Sequence, residues 1–228
     1  MHSQAFTDEE RLGHGAIALP RLHFITYDDA QLSHAEMAAQ GCRGGVRLVQ
    51  LRTKDKSLAE WLRIAQEVKA TCDANAARLI VNDNVEVAKK VGAYGVHLGR
   101  SDCAVSEARR VLGHRVVIGG TANTAEDLER LIEEGADYIG VGPFRFTSTK
   151  KELSPILGIA GIGEIVRAAA RRRKSVPIIA VGGIELGDLK ALVDCGVYGV
   201  AVSGAIGRAA SIEKSANLFA GQLSEAFV

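Results

Sequence analysis

Gln50, Arg52 and Lys54 alternate with Leu51 and Thr53 along a short segment. On an extended chain, alternate residues point to one side, so an amide, a guanidinium and an ammonium would converge there. That set suits a phosphate or diphosphate, because arginine grips phosphate oxygens in bidentate fashion and lysine adds a point charge. The same pattern also describes a strand end with solvated charges, and the segment alone does not separate the two. Asp83 and Asp102 each follow a different apolar run. Two carboxylates completed by ligand phosphate oxygens form a usual Mg²⁺ environment, since this ion keeps several waters. Without a cation they would repel each other, or one pKa would rise. For either aspartate by itself, the simpler reading is an N-cap of a helix starting near Val85 or near Val105.

Further polar clusters follow the same rule of position. Thr147, Ser148, Thr149 and Lys150 follow Gly142-Pro143 in a long segment. They suit a second phosphate and a mobile lid, or a polar surface loop. Gly182-Gly183 and Ser203-Gly204 end two late apolar runs. Glycine permits close backbone approach, and in barrels these loops often hold a phosphate through N–H groups. His97, between Val96 and Leu98, is read as a core histidine with a satisfied ring rather than as a general base. Cys103 beside Asp102 is read as a bystander thiol. Taken together, the clusters imply two anionic ligands, one metal and no obvious nucleophile. That points to group transfer between two phosphorylated molecules.

Eight apolar runs must carry these clusters: Leu22 to Thr26, Val46 to Leu51, Leu79 to Val81, Gly95 to Leu98, Val116 to Gly119, Tyr138 to Val141, Ile178 to Val181 and Gly199 to Val202. They are continuous rather than alternating, as parallel strands buried on both faces require. Amphipathic stretches lie between them. Leu58 to Ala70 places Leu58, Trp61, Leu62, Ala65 and Val68 at helical spacing, and Thr124 is a good N-cap before Ala125. Eight strand–helix alternations in 228 residues predict one closed (β/α)8 TIM barrel, with its site at the C-terminal ends of the strands. An open doubly wound sheet is the alternative. The barrel is expected over residues 21–228, with residues 1–20 an extension to which the sequence assigns no role.

Composition narrows the partners. Lys and Arg number 28 and Asp and Glu 27, so no global field favours nucleic acid. The run Arg171-Arg172-Arg173-Lys174 is read as the solvated C-terminal end of a helix, where positive charge suits the macrodipole. No stretch approaches a membrane span or a secretory signal. The four cysteines are widely spaced and suggest reduced thiols in a cytoplasmic protein. A homodimer is compatible with a barrel of this size.

From Leu22 to the C-terminal helix the chain resembles the thiamine phosphate synthase family. The matching motifs are Gln50-Leu51-Arg52-Thr53-Lys54, Val81-Asn82-Asp83, Gly95-Val96-His97-Leu98-Gly99 with Asp102, Gly140-Val141-Gly142-Pro143 with Thr147-x-Thr149-Lys150, Gly182-Gly183-Ile184 and Val202-Ser203. The resemblance implies a Mg²⁺-dependent transferase with two small-molecule substrates. Gln50, Leu51, Arg52, Thr53, Lys54, Asn82, Thr121 and Lys150 would hold a pyrimidine diphosphate. Thr147, Ser148, Thr149, Gly183, Ser203 and Gly204 would hold a thiazole phosphate, and Asp83 and Asp102 the metal. Arg52, Lys54 and Lys150 would stabilise the departing pyrophosphate. The reaction it implies is dissociative: pyrophosphate leaves, a pyrimidine cation forms, and the thiazole nitrogen attacks.

Four positions depart from the commonest family pattern. Thr121 stands for a serine, Asn123 for a histidine, Phe146 for a proline and Gly204 for a serine; none removes a charge. A thiazole tautomerase would need no diphosphate clamp and no aspartate pair. A barrel that only binds thiamine precursors would use the same residues without turnover. A Schiff-base aldolase would need a desolvated lysine within the barrel.

Overall fold

The computed structural model describes residues 19–146, 155–172 and 176–227. Eight parallel strands close into a ring: β1 (Leu22–Ile25), β2 (Leu48–Leu51), β3 (Arg78–Asn82), β4 (Gly95–Leu98), β5 (Val117–Ala122), β6 (Tyr138–Val141), β7 (Ile178–Val181) and β8 (Gly199–Val202). Each strand pairs with its sequence neighbour, and β8 returns to pair with β1. The barrel predicted from the eight apolar runs is therefore present, and the open sheet is excluded. Both faces of each strand are covered, which is why the runs read as continuous. Leu48, Ile80, Val117, Tyr138, Ile179 and Ala201 fill the interior. Their neighbours Val49, Leu79, Val96, Ile118 and Ile139 meet the surrounding helices.

Those helices are α1 (His34–Arg43), α2 (Leu58–Ala74), α3 (Val85–Lys90), α4 (Val105–Leu112), α5 (Ala125–Glu133), α6 (Gly158–Ala170), α7 (Leu189–Asp194), α8 (Gly204–Gly207) and α9 (Ile212–Ala226). Their starts are chemically fixed. Ser33 and Ser57 each form a capping box, with Glu36 and Glu60 reaching back to the cap. Thr124 caps α5 through Asp127 N–H, as its sequence position predicts. α2 runs one turn beyond the expected Ala70, and Ala65, Val68 and Cys72 continue its buried stripe. β5 extends past the expected Gly119. Thr121 pairs with Gly140 there and so belongs to the strand rather than to the loop after it.

The ring is tied at its N-terminal face. The Arg21 guanidinium donates to Tyr198 O at 3.0 Å and lies 3.7 Å from the centroid of the Phe227 ring, which joins the start of β1 to the end of α9. Gly44, after α1, fits against α9 so closely that a Cβ there would stand 2.3 Å from Glu213 O. Arg172 of the basic run pairs with Glu129. Arg173 and Lys174 lie outside the described residues, as do residues 1–18 of the expected extension.

Candidate active site

The C-terminal ends of the strands open into a cavity of about 880 Å³. Its wall follows from strand alternation. Gln50 faces inward at the end of β2, and Arg52 and Lys54 continue the same side into the loop. The intervening residues turn away. Leu51 is fully buried among the helices, and Thr53 is buried with its hydroxyl donating to Asp28 Oδ1 at 2.7 Å. Of the five consecutive residues expected at the diphosphate, these two side chains therefore do not face the cavity, because the extended backbone sends them to the other side.

Asn82, Asp83, Asp102 and Thr121 join the wall from β3, from the loop after β4 and from β5. Asp83 has φ of 65°, a conformation uncommon for a side-chain-bearing residue and tolerated best by Asn and Asp. Its N–H still extends the ladder to His97 O at 2.8 Å. The kink brings its carboxylate to the Lys54 ammonium and the Asn82 amide. Neither aspartate is a helix cap. Asn84 caps α3 through Val87 N–H, and α4 follows Ala104, which offers no side-chain cap. Asp102 instead accepts from Gly99 N–H at 2.6 Å. Burial pushes the Asp102 carboxyl above its ordinary value, the Gly99 hydrogen bond opposes this, and the charge of nearby Asp83 adds to the rise. Two carboxylates thus meet at one point of the wall, with Lys54 on one of them. Among the described residues no cluster of three or more His, Cys, Asp or Glu side chains could hold a metal, so a cation here would need oxygens from its ligand.

Opposite them, Gly182 and Gly183 adopt positive φ of 98° and 68°. A Cβ at Gly182 would meet Pro143 at 2.8 Å, so only glycine lets this loop pass. Arg145 fixes Gly183 by donating to its carbonyl at 2.8 Å while pairing with Asp188. Ser203 and Gly204 line the same side. The Ser203 hydroxyl donates to Ile25 O at 2.9 Å, which leaves its oxygen to the cavity only as an acceptor. Thr147, Ser148, Thr149 and Lys150 lie outside the described residues. His97 is the satisfied ring that the sequence suggested, and its position adds one thing. Its ring is satisfied by Tyr138 and Thr121, and it also lines the cavity.

Several contributors were given no site role from the sequence. Arg100, Arg145 and Arg208 bring the lining cations to five, with Arg52 and Lys54, against Asp83, Asp102 and Glu185. The cavity is therefore locally cationic in a chain of net charge +1. Asn123 donates to Gly142 O and so ties the loop after β5 to the end of β6. Asp28 lies outside the wall but organises it. It accepts from Thr53 Oγ1 and from Lys54 N–H at 3.0 Å, and approaches Lys56 and His34. Burial alone would raise Asp28, but these hydrogen bonds outweigh it and hold the carboxyl below its usual range. The polar run Thr26 to Asp29 after β1 was the available signal, in the position where every other strand shows its cluster.

A closed parallel barrel with a cavity at its C-terminal face defines the class of (β/α)8 barrels. The family model described as thiamine monophosphate synthase matches residues 22–206. A thiamine-phosphate synthase of Bacteroides fragilis is 45% identical over 185 residues, covering 81% of this chain and 91% of that protein. Another, from Phocaeicola vulgatus, is 44% identical over 188 residues, covering 82% and 90%. Among solved structures, a thiamine phosphate pyrophosphorylase from Pyrococcus furiosus superposes with a TM-score of 0.81 at 24% identity, covering 91% of this chain and 98% of that one, and supports the fold. The chain belongs to the thiamine monophosphate synthase family and is a transferase.

Proposed function

We propose that the chain condenses an aminopyrimidine methyl diphosphate with a thiazole phosphate, plain or carboxylated, to give thiamine phosphate and pyrophosphate, with carbon dioxide released as well from the carboxylated form. The observation that carries this reading is the row Gln50, Arg52 and Lys54 facing the Asp83–Asp102 pair within one cavity. A diphosphate carries enough negative charge to use both: the cations directly, and the carboxylates through a divalent ion. Mg²⁺ fits the donor set, since a hard cation would relieve the repulsion between two hard carboxylates, one of which, Asp102, is raised in part by the charge of Asp83. Asp83 and Asp102 would hold it, and it would neutralise charge on the diphosphate oxygens.

The rest is assigned to the chain's own residues. The bond from the pyrimidine methylene to the diphosphate oxygen breaks, and pyrophosphate leaves with the electron pair. Arg52 and Lys54 meet the growing charge, and the family resemblance adds Lys150. One such preorganised donor can lower a barrier by roughly 3–4 kcal/mol. The pyrimidine amino group feeds electrons to the methylene cation, and the thiazole nitrogen donates its lone pair to form the new C–N bond. Gly183, Ser203, Gly204 and, by the resemblance, Thr147, Ser148 and Thr149 hold the thiazole phosphate so that its ring nitrogen approaches the methylene carbon in line with the departing oxygen. No side-chain nucleophile is required. The four cysteines are free thiols, which agrees with a cytoplasmic setting.

The test is pyrophosphate release by the purified protein with both substrates, with and without Mg²⁺. Release that needs all three, with thiamine phosphate formed, supports the reading. Binding of both substrates with no release overturns it, and thiazole isomerisation becomes the reaction to assay.

A further inference from the structure

On the side of the cavity opposite the aspartates, the loops after β6 and β7 are bound as one piece. Phe144 N–H donates to Val181 O and Arg145 N–H to Gly182 O, both at 2.9 Å, so the pairing of β6 with β7 continues past the ends of both strands. Arg145 then folds over the second loop. Its guanidinium donates to Gly183 O at 2.8 Å and to both oxygens of Asp188, at 2.9 Å and 3.0 Å. Its stem covers the glycine: a Cβ at Gly183 would stand 2.8 Å from Arg145 Cγ and 2.9 Å from Phe146 O. Asp188 is tied in turn, because its Oδ2 also accepts from Glu185 N–H at 2.8 Å. Its side chain is only 16% exposed, which makes this a shielded fork rather than a loose surface pair.

The chemistry of that fork decides what Arg145 can do. Three of its five N–H groups are engaged, and its charge is matched by Asp188, with Glu185 3.8 Å away. Arg145 lines the cavity, yet its charge is balanced within the protein. What it does fix is a peptide plane. The Gly183–Ile184 peptide is planar and trans, so holding the Gly183 carbonyl on the Arg145 side turns the Ile184 N–H the other way. Gly183 and Ile184 both line the cavity, and among the described residues their N–H groups meet no acceptor. Gly183 has φ of 68°, in the left-handed region, where successive N–H groups can converge on one anion as a backbone nest.

We infer that Arg145 and Asp188 are a positioning pair that sets the Gly183–Ile184 backbone to receive the phosphate of the thiazole substrate, and that Arg145 does not itself contact that phosphate. This rests on the reading of the cavity given above. By that reading the diphosphate lies on the far wall, at Arg52 and Lys54, so loss of the pair belongs in the affinity for one substrate and not for the other. Asp188 is not part of the cavity wall. A change there reaches the ligand only through the groups that Asp188 holds.

The experiment separates a held backbone from a direct charge. Arg145→Lys keeps the charge and loses the fork. Asp188→Asn keeps an acceptor for Glu185 N–H and loses the ion pair. Each is expected to raise KM for the thiazole phosphate roughly tenfold, about the effect of one hydrogen bond, while KM for the pyrimidine diphosphate stays within about twofold of the wild type. The double variant should be no worse than either single one, since both break the same link. Wild-type affinity in Arg145→Lys, or tighter thiazole phosphate binding in Asp188→Asn, would mean that the charge itself meets the phosphate, and would overturn the proposal. Additive losses in the double variant would do the same, as would equal rises in both KM values, which mark a general loss of structure. Calorimetry with the thiazole phosphate alone repeats the comparison without turnover. If the wild type binds it and releases no pyrophosphate, the synthase reading fails, and the calorimetric ranking of the variants still decides the role of the pair. A wild type that binds no thiazole phosphate overturns that role as well.

Discussion

At the scale of single residues, Arg52 and Asp102 should divide their effects by ligand. Arg52 lines the cavity and makes no ion pair among the described residues, so its charge is available to an anion. Arg52→Ala is expected to weaken pyrimidine diphosphate binding by about tenfold or more while leaving thiazole phosphate binding near its wild-type value. Calorimetry with each ligand separately measures this, and equal losses would refute the division of the site. His23 gives a pH dependence unrelated to catalysis. It is fully buried and neither ring nitrogen has a well-formed hydrogen bond; burial lowers its pKa from 6.5 to about 3. Between those values the unfolded chain takes up a proton that the folded chain refuses. The contribution of His23 is therefore complete above pH 6.5 and is lost as pH falls toward 3, by up to about 1.4 kcal/mol per pH unit. Denaturant melts of His23→Leu should lose this part of the acid slope, and parallel curves for variant and wild type would contradict the assignment. The shared side of Gln50, Arg52 and Lys54 was legible at this scale because alternation is a local property of the chain. Asp28 was not, because it meets Lys54 across a separation of 26 residues that no spacing in the sequence encodes.

At the scale of elements, the strands were readable because each is buried on both faces and so appears as a short unbroken apolar run. The exception is instructive. β5 ends in Gly119-Gly120-Thr121-Ala122, where two glycines look like a turn. They serve other purposes: Gly119 clears Tyr138, and a Cβ at Gly120 would stand 2.4 Å from a Leu131 methyl. Sequence rules read glycine as freedom of backbone, whereas here it is absence of volume. The aspartates erred in the opposite direction, since a cap is decided by local geometry and Asp83 is drawn instead toward Lys54 from the loop after β2. The helix starts that do follow local chemistry can be tested simply. Ser57 lies outside the cavity and caps α2 through Glu60 N–H. Ser57→Ala should cost about 1 kcal/mol in urea melts and leave pyrophosphate release unchanged. A silent substitution would mean that Asp55 or solvent satisfies the helix end in its place.

At the scale of the whole molecule, closure depends on the meeting of the first and last helices. Gly44 has ordinary φ of −77°, so a side chain there would be opposed by space alone, through Glu213 O and the Ala216 methyl of α9. Gly44→Ala is expected to destabilise by about 1–3 kcal/mol, read as a lower urea midpoint with an unchanged slope. No change would show that α9 can shift outward freely. The tie between Arg21 and Phe227 bears on how the chain can be rewired. Those residues touch on the face opposite the cavity, so a short linker could join the two ends of the barrel without crossing the site. New ends opened beside His114, in the exposed turn between α4 and β5, would then give a circularly permuted protein with every strand pairing intact. The order in which the eight units are threaded would change, while the ring that they form would not.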